Sequence, residues 1–543
     1  MSGLASVGAE AQEDRPRIVT ENGRHALLVD GQPFLMLAAQ AHNSSNYPSV
    51  LPEVWPAVEA LGANTLMIPV AWEQIEPVEG RFDFSYLDAL IPQARERGVR
   101  LVLLWFGTWK NTGPAYTPAW VKLDRERFPR LVKEDGTESY ALSPFGEETL
   151  EADRRAFVRL MTYLRDDDAD HTVIMVQVEN ETGTYGSVRD YGQAAQEAFE
   201  AEVPAPLLAS EGQEGGSWRD VFGEDADEAF HAWSIGSYVG RIAEAGKAVL
   251  DLPMYTNAAL RDPLKDTDPA SYASGGPTDN MLDIWQAAAP DLSLLSPDIY
   301  TAESEAYRAA LDHYAKPDNP LFVSETGNRV DFARFFFAAL GKGAIGFAPF
   351  GMDYTGYGNF PLGAKATTPE IIEPFAQVYD LVRPFEREWA RLAYESEVFG
   401  AARPDDDAPQ TLDLGDWTAR VDYDLWQFGQ PDWTFLGDDL HREPDENAGV
   451  LIARLGENQF LVTGIGARVT FGRTGGGGFT LVSAEEVEWE EGNWRFRRMW
   501  NGDQTDYGLN FTDRGAVLRV TLVPDDDRIE QEGRAVAGTE ETE

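Results

Sequence analysis

The sequence predicts an α/β chain: a (β/α)8 barrel (TIM barrel) followed by a smaller all-β, sandwich-like C-terminal domain. Three observations predict it. Short apolar runs recur eight times between Pro33 and Phe350, each followed by a loop and then, in most cases, a helical pattern. Those runs are almost continuously apolar, the mark of parallel strands buried on both faces. Beyond about residue 395 the helical period stops, and short alternating runs separated by Gly-rich breaks such as 475–478 take over.

In chain order, residues 1–24 read as a polar lead-in and residues 25–394 as the barrel. Its expected strands are 33–40, 65–71, 100–106, 173–178, 253–256, 292–297, 321–323 and 344–350. Helices are expected over 51–61, 84–97, 147–165, 227–250, 304–315 and 330–340. A doubly wound open sheet is the alternative. Eight units favour closure, and no Gly-rich phosphate loop follows the first strand. Residues 395–524 read as an antiparallel β domain with strands over 410–414, 417–423, 449–455, 459–463, 467–471, 479–489, 494–500 and 516–522. Trp417, Trp426, Trp433, Trp489, Trp494 and Trp500 belong to it, as sandwich core or as a glycan-binding face, and bracing of the barrel or of a homo-oligomer is the favoured role. Residues 525–543 are acidic, lack aromatics and read as a disordered tail.

Charge bounds the partners. The 543 residues carry a formal net charge of −47, with 8 Lys against 37 Arg. Such a surface repels nucleic acid and anionic membranes. Scarce Lys with abundant Asp and Glu is the composition of a halophilic protein, kept soluble where concentrated salt screens like charges; an ordinary acidic soluble protein is the plainer alternative. No Cys is present, which excludes disulfides, thiolate metal sites and Cys nucleophiles. No cofactor is expected, and no metal site either: His is scarce, and the Asp runs 166–168, 405–407 and 525–527 lack the alternating spacing of calcium loops. The N-terminus has no basic start followed by an apolar run, and no stretch reaches membrane-spanning length, so a cytoplasmic location is expected.

In a barrel the C-terminal ends of the strands make the site. The fourth strand ends in Gln177-Val178-Glu179-Asn180-Glu181, and the seventh in Val323-Ser324-Glu325. Strict alternation would put Glu179 and Glu181 on one side of the strand and Asn180 on the other, unless the strand end bends. Two carboxylates facing one another across the mouth suit glycoside hydrolysis, in which one protonates the leaving oxygen and the other attacks the anomeric carbon or activates water. A lone Glu at a strand end is usually structural; a pair on these two strands, one preceded by Asn, is far more specific. Further candidates for substrate binding follow the other strands: His42 after the first, Trp72 and Glu73 after the second, Trp109 and Asn111 after the third, Asn257 at the fifth, Tyr300 at the sixth. Phe350 and Met352 end the eighth, as a sugar platform or as packing.

These motifs resemble those of clan A glycoside hydrolases, in which an Asn-Glu pair ending strand 4 carries the acid/base and a Glu ending strand 7 the nucleophile. The segment 177–181 is similar to the family 35 β-galactosidases. Asn64-Thr65, Trp72-Glu73, Glu76-Pro77 and the run 80–84 are similar to the second-strand region shared by families 35 and 42. The C-terminal β domain matches the smaller, microbial branch of family 35. The resemblance implies a retaining exo-β-galactosidase acting on oligosaccharides, with Glu181 as acid/base, Glu325 as nucleophile, Asn180 on the sugar 2-hydroxyl and Tyr300 on the nucleophile. The third-strand loop departs from the family pattern. That departure keeps another β-glycosidase (β-glucosidase or β-xylosidase) in view, and a non-catalytic carbohydrate-binding barrel is the alternative of a different class.

Overall fold

The computed structural model describes residues 15–423 and 445–525. The outer parts of the lead-in and tail, and Trp426 and Trp433, lie outside the described residues.

The chain opens with three short antiparallel strands, β1 (Arg17–Glu21), β2 (Arg24–Val29) and β3 (Gln32–Phe34). Two of them lie wholly or partly inside the segment expected to be a lead-in, so that reading is corrected. The signal was present in two dipeptides, Asn22-Gly23 and Asp30-Gly31, all four residues with φ between 53° and 72°. Two consecutive left-handed residues make the tight turn whose twist matches paired strands, and Asn-Gly and Asp-Gly tolerate it best. Leu27, Val29 and Phe34 then pack with Met36, Val102, Ile174 and Phe322. These last four lie at or near strand starts, so the small sheet covers the N-terminal end of the barrel.

The barrel is closed and parallel. Its strands are β4 (Met36–Gln40), β5 (Thr65–Ala71), β6 (Arg100–Lys110), β9 (Val173–Asn180), β10 (Met254–Ala259), β11 (Leu294–Ile299), β12 (Val323–Thr326) and β13 (Gly346–Pro349), paired in that order, with Gly346 opposite Met36 closing the ring. All eight overlap the expected runs, β12 only at Val323, and nearly every residue in them is buried. Between β6 and the helix Glu147–Asp167 an insertion carries a hairpin, β7 (Arg130–Val132) with β8 (Glu138–Leu142), too short and polar to read in sequence.

A second compact unit holds two antiparallel sheets. One runs β14 (Val398–Ala402), β17 (Gly449–Gly456), β18 (Gln459–Ile465), β23 (Ala516–Pro524), β20 (Phe479–Glu490), β21 (Asn493–Met499); the other β15 (Gln410–Leu414), β16 (Trp417–Asp422), β19 (Ala467–Arg473), β22 (Leu509–Phe511). Residues two apart, such as Trp417, Ala419 and Val421, or Leu518, Val520 and Leu522, share one core. The alternating pattern is thus spent on a sandwich interior. By its contacts this unit also includes residues 302–305, 329–344 and the described residues from 373 onward, so segments from within the barrel's sequence range belong with the sheets. Among the described residues no helix is long and apolar enough to cross a membrane.

Candidate active site

The end of β9 does not keep strand alternation. Glu179 and Glu181 both have left-handed backbones, φ 62° and 45°. Side chains with a Cβ adopt that region at a cost, so surrounding contacts must hold it. On one side Glu179 turns away from the mouth into the barrel wall. Its carboxylate accepts from the backbone N–H of Trp109 (2.7 Å) and Thr108 (3.1 Å). Asp153 shares the pocket, accepting from Thr108 and from the Trp105 indole. Burial first, then the neighbouring Asp153, pushes Glu179 well above the usual carboxylate range. Gly107 makes this packing possible, because a Cβ there would sit 2.5 Å from Glu179 Oε1.

On the other side Asn180 and Glu181 both join the site. The Asn180 amide lies within hydrogen-bond reach of Gln177, Asn111 and Asn257; turned by a half-turn, its oxygen is 3.0 Å from Lys110 Nζ. Asn257 accepts from the Glu181 N–H at 2.9 Å and donates to Asp298 at 2.6 Å. Glu325 lies one residue before the end of β12, opposite Asp298 in register. Gln40 donates to its Oε2 at 2.7 Å, and the Tyr300 hydroxyl donates to its Oε1. One carboxylate oxygen from each of Glu181, Asp298 and Glu325 lies within 4.8 Å of the other two. This is the one grouping among the described residues that could bridge a cation; hydrogen bonds to Gln40, Tyr300, Asn257 and Ser324 already engage Glu325 and Asp298.

Electrostatics separates the carboxyls. Burial raises Glu181 to about 7, with the Lys110 ammonium opposing and Glu325 adding to the rise. Burial, then Glu325 and Glu181, pushes Asp298 well above its ordinary value. Tyr300 is driven up by burial and by Glu325, so it stays a hydrogen-bond donor.

Of the candidates read from sequence, the structure gathers Glu181, Glu325, Asn180, Tyr300, Asn257 and Asn111 into one network. His42 stands at its edge. Its Nδ1 pairs with Asp353 at 2.9 Å, its ring meets Phe350 and Tyr357 edge-on, and its buried Nε2 has no partner among the described residues. Burial would raise Asp353, but the bonds and charge of His42 hold it below the usual range. Three candidates fall outside the network. Trp72 gives its indole N–H to Glu76 and packs edge-on against Trp120. Trp109 packs against Tyr238, its backbone anchoring Glu179. Glu73 forms a half-exposed pair with Lys122. Tryptophan at a strand end is as useful to the wall as to a ligand, and both indoles here pack against other aromatic rings. Gln40 and Asp298 were missed as site residues, although each is a polar group in an apolar run, the same signal that marks Glu181.

Comparison with known proteins adds the following. Residues 55–211 match the model of glycoside hydrolase family 42, described as beta-galactosidase; residues 375–512 match a domain of unknown function, DUF5597. The first match includes Asn180 and Glu181 and stops before Glu325. A search of curated proteins returned no match. Among solved structures, the β-galactosidase of the psychrophilic Marinomonas ef1 is similar at 14% identity and a TM-score of 0.48, over 66% of this chain and 61% of that one. The polyextremophilic β-galactosidase of the Antarctic haloarchaeon Halorubrum lacusprofundi is similar at 17% identity and 0.48, over 66% and 62%. The catalytic domain of a β-amylase from Paenibacillus polymyxa is similar at 14% identity and 0.43, over 63% and 96%. The chain thus spans less than two thirds of the length of the two β-galactosidases.

Proposed function

We propose that the chain is a retaining exo-β-glycosidase of clan A, a β-galactosidase that removes terminal galactose from oligosaccharides. The observation that carries the reading is the pairing of Glu181 and Glu325. One carboxylate oxygen of each lies within 4.8 Å of the other, which supports the close pairing of retaining enzymes, roughly 5–5.5 Å between carboxyl groups. Glu181 keeps its proton near neutrality, while Gln40 and Tyr300 donate hydrogen bonds to the Glu325 oxygens and hold the carboxyl in place.

In the first step Glu325 attacks the anomeric carbon as Glu181 protonates the departing oxygen; the glycosidic bond breaks and a glycosyl ester forms. Ester formation cancels the Glu325 charge that had helped raise Glu181. Glu181 then becomes the stronger acid and stays deprotonated, ready to take a proton from water. Water attacks the anomeric carbon, the ester bond breaks and Glu325 leaves as carboxylate. Asn180 is the group for the sugar 2-hydroxyl, and Asn111, Lys110 and His42 are further polar contacts for the retained sugar.

Within clan A, the family 42 match over 55–211 supports that family, and no matched model supports family 35. Galactose as the sugar rests on that match and on the motif resemblance. The insertion after β6 favours a second reading, another β-glycosidase with the same chemistry. A panel of nitrophenyl β-glycosides in molar KCl separates the two. Turnover by the wild type, its loss in Glu325→Gly, and rescue of that variant by azide with an α-glycosyl azide product are expected. A β-azide product, or silence on every glycoside, would overturn the mechanism.

A further inference from the structure

Two exposed tyrosines flank Glu181, and no step above uses them. Tyr140, 49% exposed, stands on β8 in the insertion after β6. Its hydroxyl bonds Thr112, and its ring packs against Gly113, where a Cβ would lie 3.3 Å from the ring. Thr112 in turn donates its N–H to the Glu181 carbonyl at 2.9 Å. Tyr140 is therefore anchored to the loop that holds Glu181. Tyr185, 43% exposed, follows Glu181 by four residues. Its neighbour Thr184 is pinned by paired backbone bonds with Ser274, 2.9 and 3.2 Å. Burial first, then the nearby Glu181 carboxylate, raises the Tyr185 hydroxyl, in keeping with its place four residues along the same loop.

Chemistry assigns that neighbourhood. An acid that protonates the glycosidic oxygen must stand beside the group that departs, whereas the nucleophile stands beneath the sugar that is kept. Glu325 takes its hydrogen bonds from Gln40 and Tyr300, and its strand neighbour in register is Asp298. We infer that Tyr140 and Tyr185 form a leaving-group subsite, their ring faces receiving the flat apolar face of a second sugar or an aryl aglycone. The inference rests on the glycosidase reading above and names the part of the substrate that reading leaves open. Tyrosine fits the role, since its ring covers apolar area while its hydroxyl still reaches sugar oxygens. The same subsite would hold an acceptor sugar in the second step. The acceptor hydroxyl would then replace water, give its proton to Glu181 and bond the anomeric carbon as the ester to Glu325 breaks.

The test compares lactose with β-D-galactosyl fluoride, whose leaving group has no ring. In Tyr140→Ala and Tyr185→Ala, the ratio of kcat/KM for lactose to that for the fluoride is expected to fall about tenfold each, one aromatic contact's worth, while Tyr140→Phe and Tyr185→Phe keep most of the wild-type ratio. With glucose added during fluoride turnover, the wild type should form disaccharide and the Ala variants mainly free galactose. Equal losses on both substrates, with transfer unchanged, would overturn the subsite and leave the glycosidase standing. Failure of the wild type on both substrates would remove the galactosidase reading, and the subsite with it.

Discussion

Glu181 and Glu325 are the same residue type near equivalent strand ends, set in different surroundings. Burial and the charge of Glu325 hold the Glu181 proton, while Lys110 opposes them. Because kcat/KM reports the free enzyme, activity on poor leaving groups should fall as pH rises through about 7, where Glu181 loses its proton. Removing a nearby positive charge disfavours the carboxylate. Lys110→Ala should therefore move this descending limb to higher pH, and a shift to lower pH would contradict the assigned electrostatics. Glu181→Ala should lose roughly 10²–10⁴-fold on a poor leaving group and much less on an activated aryl glycoside, read from steady-state rates on the two. Both carboxylates were legible in sequence as charges ending apolar runs. The raised pKa of Glu181 was not, because it depends on burial and on Lys110, Glu325 and Asp298, which come from three other strands.

At the level of elements, the bend ending β9 decides which side chains reach the site. Alternation would have placed Glu179 beside Glu181; left-handed backbone at both turns Glu179 into the wall and brings Asn180 into the network. The wall must be vacant for this, and Gly107 on β6 supplies the vacancy. Gly107→Ala would place a Cβ 2.5 Å from both Glu179 Oε1 and the Trp105 indole nitrogen. Overpacking of this kind costs about 1–3 kcal/mol, expected as a lower urea midpoint together with a lower kcat. An unchanged midpoint would show that the wall yields, and the anchoring role of Glu179 would fall. The N-terminal hairpin offers a milder check. Gly23 has φ 72°, and a Cβ there would meet Pro317 at 3.2 Å, so Gly23→Ala should destabilise by roughly 1 kcal/mol, measured by thermal unfolding. The eight barrel strands were legible because continuous apolar runs have few other uses. The hairpins were less so, since three to six half-exposed residues carry little period and only their turns mark them.

Over the whole molecule, a charge of −47 leads to the expectation that salt stabilises the fold. Many of the 37 Arg form exposed pairs, such as Arg127 with Glu79 and Glu148, and exposed pairs contribute little each. What remains is net repulsion, which salt screens: the Debye length falls from about 10 Å at 0.1 M to about 3 Å at 1 M. The melting temperature is expected to rise with KCl over that range and beyond, and a flat or falling dependence would refute halophily. Composition alone fixes that expectation, because net charge does not depend on how the chain folds. Sequence likewise determined the barrel, the β sandwich and the two strand ends that carry carboxylates, since burial period and residue type are local properties. Only the tertiary structure showed that Trp72 and Trp109 pack against other aromatic rings, that Asp298 and Gln40 join the Glu181–Glu325 network, and that Tyr140 bonds Thr112, whose N–H reaches the Glu181 carbonyl. Each of those outcomes depends on the distance between residues far apart in sequence, and closure of the barrel sets that distance.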